Sequence, residues 1–247
     1  MAEARIALVP TPIGNLGDIT LRAVETLRAA DAIYAEDTRR TAILLQHLEL
    51  RKPLVSLHAH NEAQRTAEIL VRHESGDRIA LVTDAGMPGV SDPGMRLVRA
   101  CRDAGIAIDI LPGPSAVMNA WIGSGFAADA FYFGGFLPVK DGQRTRELTR
   151  ALARSEVSVF FESPHRIVKS LRKLAEIDPE RRVCVARELT KKFEEYRQNL
   201  PSALVAHYTA HPPKGEICLV VCGTGRRSVS FELPEDEVPE DSEVESA

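Results

Sequence analysis

Long apolar runs are missing from this chain. No stretch approaches the roughly 18 to 20 apolar residues that a helical membrane span requires, so a protein that crosses a bilayer by helices is excluded. Cysteine is scarce, with four in 247 residues. None of Cys101, Cys184, Cys218 and Cys222 forms a C-x-x-C pair, which argues against a zinc ribbon and a disulfide scaffold. Each lies in an apolar pattern and reads as a small buried hydrophobe. A secretory signal is absent as well: Met1-Ala2-Glu3-Ala4-Arg5 leads straight into a strand-like run, and the chain reads as cytoplasmic. The G-x-x-x-x-G-K-[ST] loop is also lacking, and the glycines do not fall into G-x-G-x-x-G, so neither a P-loop nor a dinucleotide fingerprint is supported.

What is present is an ordinary globular composition, 44% hydrophobic and 27% charged. Apolar, β-branched runs at residues 6–9, 32–35, 54–57, 79–82 and 106–111 predict five strands in the first half. Runs at 131–133, 157–161, 183–186 and 217–221 predict four in the second. Amphipathic stretches at 20–30, 62–73, 93–104, 144–153 and 166–176 predict helices between them. Such alternation points to an α/β fold with mostly parallel sheets. Nine strands exceed one typical sheet, so two α/β domains are expected, divided where Pro112-Gly113-Pro114 ends the fifth run. The expected units are residues 1–113 and 114–227, with an active-site cleft between them and an acidic tail, expected to be disordered, over 228–247.

The tail changes the meaning of the charge. The whole chain is −4, from 31 basic and 35 acidic residues, but eight of the acidic residues lie in 232–247, where no basic residue occurs. Residues 1–231 therefore carry +4. Within them, residues 119–231 hold 18 basic and 12 acidic residues, so the excess lies in the second half and is compatible with a polyanionic partner.

Three glycine- and proline-rich segments follow predicted strands: Pro10-Thr11-Pro12-Ile13-Gly14-Asn15-Leu16-Gly17, Thr83-Asp84-Ala85-Gly86-Met87-Pro88-Gly89-Val90-Ser91-Asp92-Pro93-Gly94, and Leu111-Pro112-Gly113-Pro114-Ser115-Ala116. The C-terminal edge of a parallel sheet is where α/β proteins bind nucleotide-like ligands, and three such loops would meet on one rim. Asp84 suits a ribose or amino group and would repel a triphosphate. Asp92, just before Pro93, is expected to cap the next helix. Polar candidates for proton transfer end two further strands: Glu36 and Asp37 after the second, His58 and His60 after the third. The histidines alternate by two and would share a face, but no third or fourth metal ligand has recognisable spacing, and no metal is expected.

Taken in order with Glu162-Ser163-Pro164-His165-Arg166, Arg187-Glu188-Leu189-Thr190-Lys191 and Lys214-Gly215-Glu216-Ile217, these segments closely resemble the ribosomal RNA small subunit methyltransferase I family of the tetrapyrrole methylase superfamily, over about residues 5 to 223. The resemblance implies two α/β domains with S-adenosylmethionine in the cleft and a homodimer. It implies 2′-O-methylation of a cytidine ribose in the decoding region of 16S ribosomal RNA, the substrate being free small-subunit rRNA or the 30S subunit. Carried over, the cofactor contacts are Pro12, Gly14, Asp84, Ala85, Gly86, Ser115 and Ala116 from the first side. Glu162, Leu189, Lys214 and Gly215 supply the second. Glu36, Asp37, His58 and His60 would face the transferred methyl, with Asp37 and His58 as the expected bases. Met87 stands where a small hydroxyl residue is expected, and the acidic tail where many members continue into a helical module. Two other readings stay open: a superfamily methyltransferase acting on a tetrapyrrole or another small acceptor, and a non-catalytic RNA-binding module.

Overall fold

The structure is a computed structural model and describes residues 5–225. The expectation of a disordered tail falls outside the described residues. The first half runs β1 (Ile6–Leu8), α1 (Leu21–Ala29), β2 (Ala32–Ala35), α2 (Thr38–His47), β3 (Leu54–Ser56), α3 (Glu62–Glu74), β4 (Ile79–Val82), α4 (Met95–Asp103) and β5 (Ile108–Ile110). The second runs α5 (Ala116–Gly123), β6 (Phe131–Phe136), α6 (Asp141–Ala153), β7 (Val157–Glu162), α7 (Ile167–Ile177), β8 (Val183–Arg187), β9 (Glu195–Asn199), α8 (Pro201–Ala210) and β10 (Ile217–Val221).

The first five strands form one sheet, β3-β2-β4-β1-β5, in which every pair is parallel. β1, β2 and β4 are apolar at every position and buried throughout, as strands covered on both faces must be. One face packs Leu27 of α1 and Leu45 of α2 against Ile33 and Val82. The other packs Ile69 of α3 and Leu97 of α4 against Leu8, Tyr34 and Leu81.

The second sheet is β6-β7-β10-β8-β9 and is mixed. β6 and β7 are parallel, whereas β7·β10, β10·β8 and β8·β9 are antiparallel. The reversal traces to β9, which the sequence pattern does not predict because Glu-Tyr-Arg-Gln-Asn offers no apolar alternation; it is an edge strand and largely exposed. Only seven residues join β8 to β9, too few for a parallel crossover. The hairpin turns the chain around, α8 carries it back, and β10 enters between β7 and β8 from the end at which those two strands finish. That end faces the first sheet's loops.

One expected cap is corrected. α4 begins at Met95, and the residue before it is Gly94 at φ +139°, a conformation that glycine tolerates. The first amides of the helix are met by Glu62 of α3, whose Oε1 accepts from Gly94 N–H at 2.9 Å and Arg96 N–H at 3.3 Å. Asp92 therefore does not cap α4.

Candidate active site

Because the strands of the first sheet are parallel, the loops that follow β1, β2, β4 and β5 open on one edge. They are fastened to each other. Thr11 and Gly86 exchange two backbone hydrogen bonds of 3.0 Å, and Thr11 Oγ1 donates to the Thr83 carbonyl at 3.0 Å. Gly86 holds φ +81°, and Gly113 lies so close to Pro10 that a Cβ there would stand 2.6 Å from the proline ring. The first loop then crosses to the second sheet. Ile13 is buried against Val117, Ala186, Leu189 and Cys218, and Asn15 N–H donates to Thr190 Oγ1 at 3.1 Å.

Between the two sets of loops lies a cavity of about 390 Å³, in the size range of small-molecule sites. Its first wall is Ile13, Glu36 and the Asp84–Met87 turn, with Ser115 and Ala116 at the start of α5. Its second wall is Phe161 and Glu162 from β7, Ala186 in β8, Leu189 after it, and the Gly215–Cys218 stretch that opens β10. The left-handed backbone of Glu188 (φ 52°) and Thr190 (φ 61°) shapes this wall. Hydrogen bonds hold it there: Glu188 Oε1 accepts from Glu216 N–H at 2.9 Å and Lys191 Nζ at 3.0 Å, and Lys191 Nζ also reaches Glu216 Oε2 at 2.8 Å.

Five carboxylates line the cavity, Glu36, Asp84, Asp92, Glu162 and Glu216, with Arg40 as a cationic neighbour. Asp84 is tied down, accepting from Asp37 N–H at 3.0 Å and facing Arg40 Nε at 3.5 Å. Glu36 is raised above the usual carboxylate range by burial, reinforced by the charge of Asp84. Asp92 is raised furthest, to about 7, by burial first and then by the negative charges of Glu36, Asp84 and Glu216. A carboxyl group poised near neutrality inside a cleft is suited to accept and release a proton.

Of the residues expected from sequence, Glu36, Asp84, Ala85, Gly86, Ser115, Ala116, Glu162, Leu189 and Gly215 line this one cavity. Glu162 does so with its carboxylate already saturated: Ser163 N–H at 2.7 Å, Ser170 Oγ at 2.6 Å and Arg166 Nη2 at 2.7 Å surround it. Pro12, Gly14, Asp37, His58, His60 and Lys214 are off the wall. Gly14 instead lets the first loop approach the second sheet, since a Cβ would stand 2.7 Å from the Leu189 carbonyl. Asp37 caps α2 through Arg39 N–H at 2.9 Å and pairs with the Arg39 guanidinium at 2.7 Å, which holds its carboxyl down to about 2. His58 is near enough to Glu36 to favour that group's ionised form, with its Nδ1 buried and without a hydrogen-bond partner among the described residues. His60 stands edge-on to it at 5.9 Å. The exposed Lys214 carbonyl accepts from Arg187 Nη1 at 3.2 Å.

Sequence reasoning missed Asp92 as a site residue, having assigned it to a cap, and missed Arg40, Phe136 and Glu216. Glu216 had a signal, since it adjoins Lys214-Gly215. Phe136 had none, because Gly134-Gly135 ended the predicted strand before it.

Three comparisons bear on this cleft. A family model described as Tetrapyrrole (Corrin/Porphyrin) Methylases matches residues 5–204. Among curated proteins, the chain is 47% identical over 236 residues to the ribosomal RNA small subunit methyltransferase I of Synechocystis sp., covering 94% of this chain and 84% of that one. It is 46% identical over 220 residues to the protein of the same name from Thermotoga maritima, covering 89% and 98%. Among solved structures, it superposes on a uroporphyrin-III C-methyltransferase from Thermus thermophilus with a TM-score of 0.64 at 20% identity, covering 88% and 93%. It also superposes on a diphthine synthase with a TM-score of 0.66 at 15% identity, covering 88% and 89%. Those two likenesses show the fold, and with the family match it is the α/β fold of the class III methyltransferases.

Proposed function

The chain belongs to the ribosomal RNA small subunit methyltransferase I family of the tetrapyrrole methylases, and from that membership we propose that it transfers a methyl group from S-adenosylmethionine to the ribose 2′-hydroxyl of a cytidine in the decoding region of small-subunit rRNA. Methyltransferase chemistry on rRNA follows from the family. The cytidine 2′-oxygen, the cofactor and the assembly are this proposal's finer content.

The cavity's chemistry fits the cofactor. Adenosine and methionine portions need apolar surface, which Ile13, Ala116, Leu189 and Ile217 supply, and a cationic sulfonium with its ammonium group suits a cleft lined by Glu36, Asp84, Asp92 and Glu216. A nucleoside triphosphate would be repelled there. Asp84, Ala85, Gly86, Ser115 and Ala116 would hold the cofactor from one side, and Leu189 with the Gly215 turn from the other. When bound, S-adenosylmethionine supplies an electrophilic methyl on a positively charged sulfur. The protein's task is then to align the 2′-oxygen for in-line approach at about 3 to 3.5 Å and to take its proton. We assign that proton to a carboxylate oxygen of Asp92, whose basicity suits neutral pH, rather than to Asp37, which the Arg39 guanidinium keeps weakly basic.

The same reading divides the chain at residue 113. Residues 1–113 carry the catalytic loops, and 114–227 close the cofactor site and meet the RNA as part of a homodimer, on free rRNA or on the assembled small subunit. The observation that carries the acceptor is the identity of 46 to 47% to two rRNA methyltransferases across about nine tenths of the chain. Methyl-labelled S-adenosylmethionine incubated with the protein and either unmodified small subunits or a uroporphyrinogen tests it. Label should enter the RNA; label entering the tetrapyrrole alone would overturn the assignment.

A further inference from the structure

One strand carries an irregularity. β6 pairs in parallel with β7 in the register Phe131↔Val157, Tyr132↔Ser158 and Phe133↔Val159, and then Phe136↔Phe161. Three residues on β6 thus span two on β7, a one-residue bulge at Gly134-Gly135. Side chains alternate along a strand, so if this sequence ran as a regular strand Phe136 would share the face of Tyr132. That face packs with Phe160 against α6, α7 and α8. The bulge puts Phe136 in register with Phe161, on the face of Phe131 and Phe133, where Phe136 and Phe161 both line the cavity.

Both glycines are needed for this. A Cβ on Gly134 would stand 2.3 Å from the Phe160 ring, and Gly135 holds φ +67°. The product is an aromatic ring in an exposed position: Phe136 is 59% exposed, yet it lines the cavity. Its one ring contact among the described residues is Phe161, at 5.2 Å and 60°. The loop that carries Asp92 passes close by, since a Cβ on Gly135 would lie 3.5 Å from Ser91 Oγ. Val90 of that loop, 38% exposed, is the other exposed large apolar side chain of the cavity wall.

We infer that Phe136, presented by the Gly134-Gly135 bulge at the mouth of the cavity, is the stacking platform for the unpaired nucleobase whose ribose is methylated. The inference rests on the rRNA reading above. A ribose can reach a recessed methyl donor only if its base leaves the helical stack, and an exposed aromatic face beside the reaction cavity is the surface that receives such a base. Stacking of this kind tolerates any base, so the platform would position the nucleotide and leave its identity to other contacts. Phe136 lies at the solvent end of the cavity, where RNA arrives. The buried apolar surface of Ala186, Leu189 and Ile217 lies deeper and is left for the cofactor.

The test compares wild type, Phe136→Ala and Phe136→Trp on unmodified small subunits, with S-adenosylmethionine affinity measured in parallel by calorimetry. The full chain is used, and an exposed side chain can be truncated without unfolding it. Phe136→Ala should lower kcat/KM for the subunit by roughly 5- to 150-fold, the range that base stacking gives on alanine substitution, with cofactor affinity unchanged and with Phe136→Trp restoring most of the loss. Binding an RNA oligonucleotide of the target sequence should quench the indole fluorescence that Phe136→Trp adds to that of Trp121, and an abasic residue at the target should abolish the quenching. Unaltered kcat/KM in Phe136→Ala, or weakened cofactor affinity, would overturn the platform and leave the rRNA reading standing. Failure of wild type itself to methylate the subunit would overturn that reading instead.

Discussion

The backbone N–H of Asp37 donates to Oδ1 of Asp84 at 3.0 Å, so the loop after β2 hangs from the loop after β4. Asp84 thus joins two loops of the first wall while lining the cavity. Replacing it with alanine removes an acceptor of that amide and the partner of Arg40 together. Asp84→Ala should weaken S-adenosylmethionine binding in calorimetry by about tenfold or more, as loss of a hydrogen bond to a charged group does. Unchanged affinity would move Asp84 out of the cofactor site.

Asp92 sets the pH dependence. With its carboxyl raised to about 7, the base form grows as pH rises, so kcat/KM of the wild type should climb between about pH 6 and 8 and then level. Asp92→Asn should lower kcat by about 10² to 10⁴-fold and flatten that limb. Carbon-13 NMR of the protein without cofactor should show one aspartate carboxyl titrating near 7, absent from the variant. The linkage has a definite sign: a raised folded-state value means that stability present at low pH is lost as pH rises through about 7. Asp92→Asn should therefore be the more stable protein at about pH 8, by on the order of 1 to 2 kcal/mol after solvent screening.

Asp37 and Asp92 mark where the sequence stopped being legible. Both are aspartates in loops after strands, and nothing in the local pattern tells a helix cap from a reactive group. Asp37 was expected at the chemistry and Asp92 at a cap; in the packed structure Asp37 caps α2 and Asp92 lines the cavity. The reasons are tertiary: Arg39 folds back on Asp37, and Glu62 reaches across from α3 to the amides that Asp92 was expected to meet. What could be read was whatever depends on short range. The five parallel strands, their glycine and proline loops, and the positions of Asp84, Gly86 and Ser115 follow from runs and turns, whereas Gly215 came only with the family resemblance. β9 could not be read, since an exposed edge strand has no apolar signature, and with it went the antiparallel course of β10. Phe136 stayed hidden because a bulge is set by the neighbouring strand.

The left-handed turn at Gly215 should tolerate no side chain. A Cβ there would stand 2.2 Å from the Glu188 carboxyl, on a backbone at φ +85°. Gly215→Ala should destabilise the protein by about 2 kcal/mol, lowering Tm by roughly 4 to 8 °C for a chain of this size. Cofactor affinity should fall with it, because the same turn walls the cavity. A melting curve matching wild type would mean that the turn relaxes.

Glu162 offers a contrast between holding the fold and holding a ligand. Its carboxylate is buried, and Ser170 and Arg166 hold it. Arg166→Ala would leave that charge buried with its main counter-ion gone, a change that costs about 3 to 5 kcal/mol. Chemical denaturation should register the loss, whereas the cofactor affinity of the molecules still folded should stay within a few-fold of wild type. A large affinity loss at unchanged stability would make Glu162 a ligand contact.

The product to be looked for is a methyl group on one ribose oxygen of small-subunit rRNA. Unmodified small subunits incubated with the protein and S-adenosylmethionine, then digested to nucleosides and analysed by mass spectrometry with the site mapped by nuclease protection, decide it directly. A single 2′-O-methylcytidine in the decoding region is expected, formed by wild type and nearly absent with Asp92→Asn. A methyl group on a base, or RNA left unmodified by wild type, would contradict it.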